Sequence, residues 1–134
     1  MQHWHEIVIP STPQGREQAE AEIMSVVAKL GFSEEARFSI RLAMEEAVVN
    51  AVKHGNRFDS TKKIFLRYSC NHKTFTLAVK DEGDGFDPST VPDPTAPENL
   101  ARPNGRGIML MTAYMDRVTY SEKGNEVIMV KENL

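Results

Sequence analysis

The stretch that most constrains this chain runs from Ala36 to Asn56, ARFSIRLAMEEAVVNAVKHGN. Its apolar residues recur at spacings of three and four, the helical period, with Phe38, Leu42 and Val49 in one run and Ile40, Ala43, Ala47 and Ala51 in a second. Two such runs predict a long helix that is buried over most of its surface. Into that helix the chain inserts Glu46 and Asn50 at i, i+4, with His54 one further turn along the same face. A carboxylate beside an apolar seam needs a proton, a cation or hydrogen-bond donors, and a nucleotide with its metal supplies all three. Helices also expose Glu, Asn and His to water, so this alignment by itself is equally compatible with a solvated face.

Length and charge narrow the choices. At 134 residues and 40% hydrophobic content the chain suits one domain over 1–134 with one core. A net charge of -3 gives no electrostatic case for nucleic acid or an anionic membrane as the main partner. No apolar run approaches the roughly 20 residues of a membrane span, and the start MQHWHEIVIP lacks the pattern of a signal segment, so the expected location is the cytoplasm. The one cysteine, Cys70, sits in a predicted strand and reads as a buried thiol.

In chain order, His3 to Ile9 predicts an edge strand closed by Pro10 and Pro13. From Thr12 the pattern becomes helical, with Pro13 near the first position, Ile23, Val26, Val27 and Leu30 on the apolar side and Gly31 as a stop. Ser33 suits the cap of the Ala36–Asn56 helix, which ends at His54-Gly55 with the glycine in a left-handed turn. A polar loop, Asn56 to Thr61, leads to two strands. Ile64, Leu66, Tyr68 and Cys70 alternate along the first and Phe75, Leu77 and Val79 along the second, joined by Asn71-His72-Lys73. Asp81 continues the second alternation, so its carboxylate points to the core side. Asp-Glu-Gly-Asp-Gly is equally good turn chemistry.

Residues 84–104 carry five prolines and no apolar period, and predict a lid. Gly105-Arg106-Gly107 then opens a third helix, where backbone N–H groups can approach a phosphate. Val118 and Tyr120, a Lys123-Gly124-Asn125 turn and Val127 to Val130 close the chain as a hairpin. The order predicts an α/β two-layer sandwich, a mostly antiparallel sheet of about five strands with three helices on one face.

Taken together, Glu46-x-x-x-Asn50-x-x-x-His54-Gly55, Asp81-x-Gly83-x-Gly85 and Gly105-x-Gly107 resemble the Bergerat-fold (GHKL) ATPase superfamily of gyrase, histidine kinases and MutL. Within it the chain looks most like the small anti-sigma factor serine/threonine kinases of bacterial partner-switching systems, and the likeness runs from the first strand to the last hairpin. That resemblance implies ATP and Mg2+ as ligands. Asn50 would hold the Mg2+ that bridges the phosphates, and Glu46 would act as general base on a protein hydroxyl. Asp81 would accept a hydrogen bond from the adenine amino group, with Gly83 and Gly85 letting the backbone pass the base. Gly105, Gly107 and Arg106 would face the phosphates, and His54 would cap its helix. The implied substrate is a STAS-type anti-anti-sigma protein, the implied second partner a sigma factor or other regulator, and the implied assembly a homodimer. Several relatives carry an arginine just before the last glycine pair. Here Pro103 and Asn104 stand there, with Arg102 the nearest earlier arginine. Two other readings stay open: a nucleotide-dependent binding regulator without phosphotransfer, which that departure favours, and a separated histidine-kinase catalytic domain, which Glu46 disfavours.

Overall fold

The computed structural model describes residues 3–83, 111–121 and 124–133. The predicted lid, Gly85, Gly105, Arg106, Gly107 and the start of the third helix lie outside the described residues. Five strands form one antiparallel sheet: β1 (His5–Pro10), β2 (Lys63–Cys70), β3 (Thr74–Lys80), β4 (Arg117–Tyr120) and β5 (Glu126–Glu132), in the order β1-β2-β3-β5-β4. The central strand is therefore β3, which delivers Asp81 one residue beyond its end. β1 lies at an edge, as its closing proline predicts.

Period-two alternation decides which side of the sheet is covered. Ile7, Leu66, Val79 and Val127 lie in one cross-strand row, and Tyr68, Leu77 and Met129 in the next. All seven are buried. Helices α1 (Pro13–Lys29) and α2 (Glu34–Asn50) pack on this face through Ile23 and Val27 and through Ile40, Met44, Ala47 and Val48. A helical turn at 111–114 adds Met111 and Met115. Each large side chain enclosed in this way contributes about 1.5–3 kcal/mol. Among the described residues, no helix is long and apolar enough to cross a membrane.

Local chemistry sets the helix starts as expected. Thr12 accepts a hydrogen bond from the Gly15 N–H at 3.1 Å with Pro13 opening α1, and Ser33 accepts from the Ala36 N–H at 3.1 Å. Gly31, at φ 81°, stops α1 in the left-handed region. Asn71 closes the β2–β3 hairpin by accepting from the N–H groups of Lys73 and Thr74, both at 2.8 Å.

Two expectations for α2 are corrected. Its core face is Ala36, Ile40, Ala43, Met44, Ala47 and Val48, whereas Phe38 is 59% exposed and meets Tyr114 edge-on. Two apolar rows cannot both face one sheet, and the row with small residues lets the helix approach closely. The helix also does not end on a left-handed Gly55. It continues as a π-helical turn, Ala51–Gly55, closed by the Asn56 N–H on the Ala51 carbonyl at 2.8 Å, and the left-handed residues are Arg57 and Phe58.

The opposite face of the sheet carries Trp4, Val8 and Phe65, all exposed, with Arg67 stacked over the Trp4 ring at 4.9 Å.

Candidate active site

Glu46 and Asn50 stand one turn apart on α2, and both are half-buried, between the fully enclosed Ala47 and Val48 and the surface. Glu45, next to Glu46, lies beside Glu20 of α1, whose carboxyl its charge helps to raise. Of the adjacent glutamates, Glu45 is engaged in helix-to-helix contact, which leaves Glu46 as the carboxylate on the Asn50 side. The π turn begins immediately after Asn50. Turns of this kind recur at functional sites, and closing a turn by i→i+5 bonds rotates the chain less per residue. His54 lies in this turn and is exposed, whereas Glu46 and Asn50 are half-buried.

The same turn delivers Gly55 against Asp81. A Cβ on Gly55 would overlap the Asp81 carboxylate, and a Cβ on Gly83 would overlap the Gly55 carbonyl. The three residues are packed backbone to carboxylate with no room for a side chain, so glycine is required at both positions by contact rather than by φ. Asp81 continues the β3 alternation to the inner side, and its Oδ1 also accepts from the Gly83 N–H at 2.7 Å. Both sequence readings of Asp81 therefore hold at once: it faces inward, and it orders the following turn. Its backbone is clamped by Asn125, whose carbonyl accepts from the Asp81 N–H at 3.0 Å and whose Nδ2 donates to the Asp81 carbonyl at 3.3 Å.

Along the helix axis the order is Glu46, Asn50, Gly55. At 1.5 Å per residue, Glu46 lies about 13 Å from the end that meets Asp81. An extended nucleoside triphosphate can cover such an interval with its base at one end and its terminal phosphate at the other. The donor set suits a metal that arrives with the nucleotide. Asn50 offers one neutral oxygen, and a hard cation such as Mg2+ is held with one or two protein oxygens, phosphates and retained waters. Among the described residues, no three His, Cys, Asp or Glu side chains cluster to hold an ion on their own.

Residues 9–131 match the histidine kinase-like ATPase domain family. The chain belongs to that family. Among its relatives are the serine-protein kinase RsbW of Listeria innocua, 27% identical over 92% of this chain and 83% of the relative, and the anti-sigma F factor of Clostridium perfringens, 31% identical over 85% of each. A solved Mycobacterium tuberculosis structure holding RsbU and RsbW domains superimposes with a TM-score of 0.65 at 16% identity, covering 98% of this chain and 32% of that one. This last likeness shows the shared fold. The family resemblance carried by the three motifs is borne out, and so is the α/β sandwich.

Two residues that hold this candidate site together are not singled out by the sequence. Asn125 reads as an ordinary hairpin turn residue. Asn56, read as the start of a polar loop, is completely buried. Its one local signal, a polar residue directly after the helix glycine, is common to most helix ends.

Proposed function

We propose that this chain is an ATP- and Mg2+-dependent protein serine/threonine kinase that acts in the cytoplasm as an anti-sigma factor, phosphorylating a STAS-type anti-anti-sigma protein. The observation that carries the reading is the packing of Gly55 and Gly83 on the Asp81 carboxylate, at the end of the helix that bears Glu46 and Asn50. The family assignment and the kinase and anti-sigma relatives support it.

In this reading Asp81 accepts the adenine amino proton in a pocket floored by Gly83, with Gly85 continuing past the base. Asn50 holds the Mg2+, which neutralises charge on the phosphates when bound. Gly105, Arg106 and Gly107 face those phosphates. Glu46 takes the proton from the incoming serine hydroxyl as the oxygen–phosphorus bond forms and the bond from the γ-phosphorus to the β,γ-bridging oxygen breaks, releasing ADP. Catalysis here is positioning: a base and a metal ligand at i, i+4 point the same way, so the hydroxyl and the γ-phosphate meet over one helix face. Sigma-factor binding follows when the anti-anti-sigma partner is phosphorylated and leaves. The reading includes a homodimer, for which the uncovered sheet face with Trp4, Val8 and Phe65 offers apolar surface.

The test is transfer from labelled ATP to purified STAS-type proteins. Acid-stable phosphoserine that disappears with Glu46→Gln is the expected result. Saturable ATP binding without transfer to any of them would instead favour the nucleotide-dependent regulator, the reading that Pro103 and Asn104 before Gly105 support.

A further inference from the structure

We propose that Asn56 is a positioning residue for base recognition: its buried amide fixes the exit of β3 at Glu82 and so holds the Asp81 carboxylate in place. The inference rests on the reading of Asp81 as the adenine acceptor. Asn56 is 0% exposed and uses both ends of its amide. Its Nδ2 donates to Ser11 Oγ at 2.8 Å and to the Lys63 carbonyl at 3.0 Å, and its Oδ1 accepts from the Glu82 N–H at 2.8 Å. The orientation of the amide is dictated by its partners, because a carbonyl can only accept and a backbone N–H can only donate. Ser11 in turn gives its own proton to the Lys62 carbonyl at 3.1 Å, which leaves Oγ to accept from Asn56.

One side chain thus ties four segments together: the end of the α2 π turn, the β1–α1 junction at Ser11, the start of β2 at Lys63 and the exit of β3 at Glu82. Glu82 reinforces the last link by accepting from the Lys63 N–H at 2.6 Å through its own carboxylate. The tie matters for Asp81 because Asn56 and Glu82 directly follow the two residues in tightest contact, Gly55 and Asp81. With Gly55 against the carboxylate and Gly83 against the Gly55 carbonyl, there is no slack through which a shift at Glu82 could be absorbed. A buried network satisfied at every atom holds its members in one geometry, whereas losing one partner leaves the others unpaired and lets the backbone move.

Inosine triphosphate isolates this effect, since it keeps the ribose and triphosphate but presents a carbonyl where adenine has its amino donor. The experiment measures binding of ATP and of inosine triphosphate by calorimetry to the wild type, Asp81→Asn, Asn56→Asp and Ser11→Ala, with the thermal transition of each recorded. Asn56→Asp keeps the acceptor for Glu82 but turns an oxygen toward the Lys63 carbonyl. The expected result is a loss of about tenfold in preference for ATP, the scale of one directed hydrogen bond, with affinity for inosine triphosphate unchanged. Ser11→Ala removes one acceptor and is expected to lose part of that preference. Equal weakening toward both nucleotides, or an unchanged preference in a folded Asn56→Asp, overturns the inference. If Asn56→Asp does not fold, Ser11→Ala decides: a reduced preference supports the inference and a wild-type preference overturns it. A wild type without preference for ATP overturns the reading of Asp81 itself, and the inference with it.

Discussion

Gly55 lies directly on the carboxylate of Asp81, so that the last residue of a helical turn and the first residue beyond the central strand share a contact in which no side chain fits. The helix bearing Glu46 and Asn50 is thereby keyed to the strand bearing Asp81.

Gly55→Ala forces that contact apart. The neighbour is a carboxylate whose Oδ1 is already held by the Gly83 N–H, so Asp81 has to rotate or the π turn has to retreat. The expected result is a destabilisation of about 1–3 kcal/mol, seen as a lower thermal midpoint, together with loss of nucleotide affinity measured by calorimetry.

Glu46→Gln removes proton acceptance and keeps shape. Phosphotransfer is expected to fall by about 10²–10⁴-fold in single-turnover kinetics, with little change in ATP affinity. Asn50→Ala is expected to show the complementary behaviour, losing the Mg2+-dependent part of ATP binding. If both variants lost affinity and turnover alike, the division of roles between the two residues would be wrong.

Cys70 is expected to be unreactive in the native protein. Burial pushes its thiol up to about 11, against an ordinary value of 9.0, which leaves about a hundredfold less thiolate at neutral pH. Iodoacetamide labelling at pH 8 should therefore run at least about tenfold slower on the folded protein than in guanidinium.

Glu20 links the two helices with a pH dependence of its own. Burial first, then the neighbouring carboxyl of Glu45, raise its carboxyl above the ordinary 4.5, against the opposing pull of Arg41 and Arg16. A carboxyl raised by folding binds its proton more tightly in the native state, so its ionised form weakens the fold above the folded value, and that penalty fades as pH falls toward 4.5. Its salt bridge to Arg41, at 3.6 Å with the arginine side chain largely exposed, offsets little. Glu20→Gln is expected to be slightly more stable than the wild type at pH 7–8, by about 0.5 kcal/mol or less, with the gap closing near pH 4.5 in urea titrations. A gap that widened on acidification would contradict the assignment.

Local periodicity was enough to place most of this architecture. Alternation over Phe75, Leu77 and Val79 put Asp81 on the inner side of β3, and the caps at Thr12 and Ser33 set both helix starts, because side-chain direction and capping depend on residues only a few positions apart. Tertiary structure alone decided the rest. Phe38 belongs to a row as apolar as that of Ile40, and only the sheet beneath chose between them. The π turn after Asn50, whose last residue Gly55 meets Asp81, is a change of winding that no spacing rule encodes. Asn56 looked like loop because its partners, Ser11, Lys63 and Glu82, are 45, 7 and 26 residues away in the chain. A hydrogen-bonding group declares its type in the sequence, but whether water or protein satisfies it depends on what the fold brings beside it.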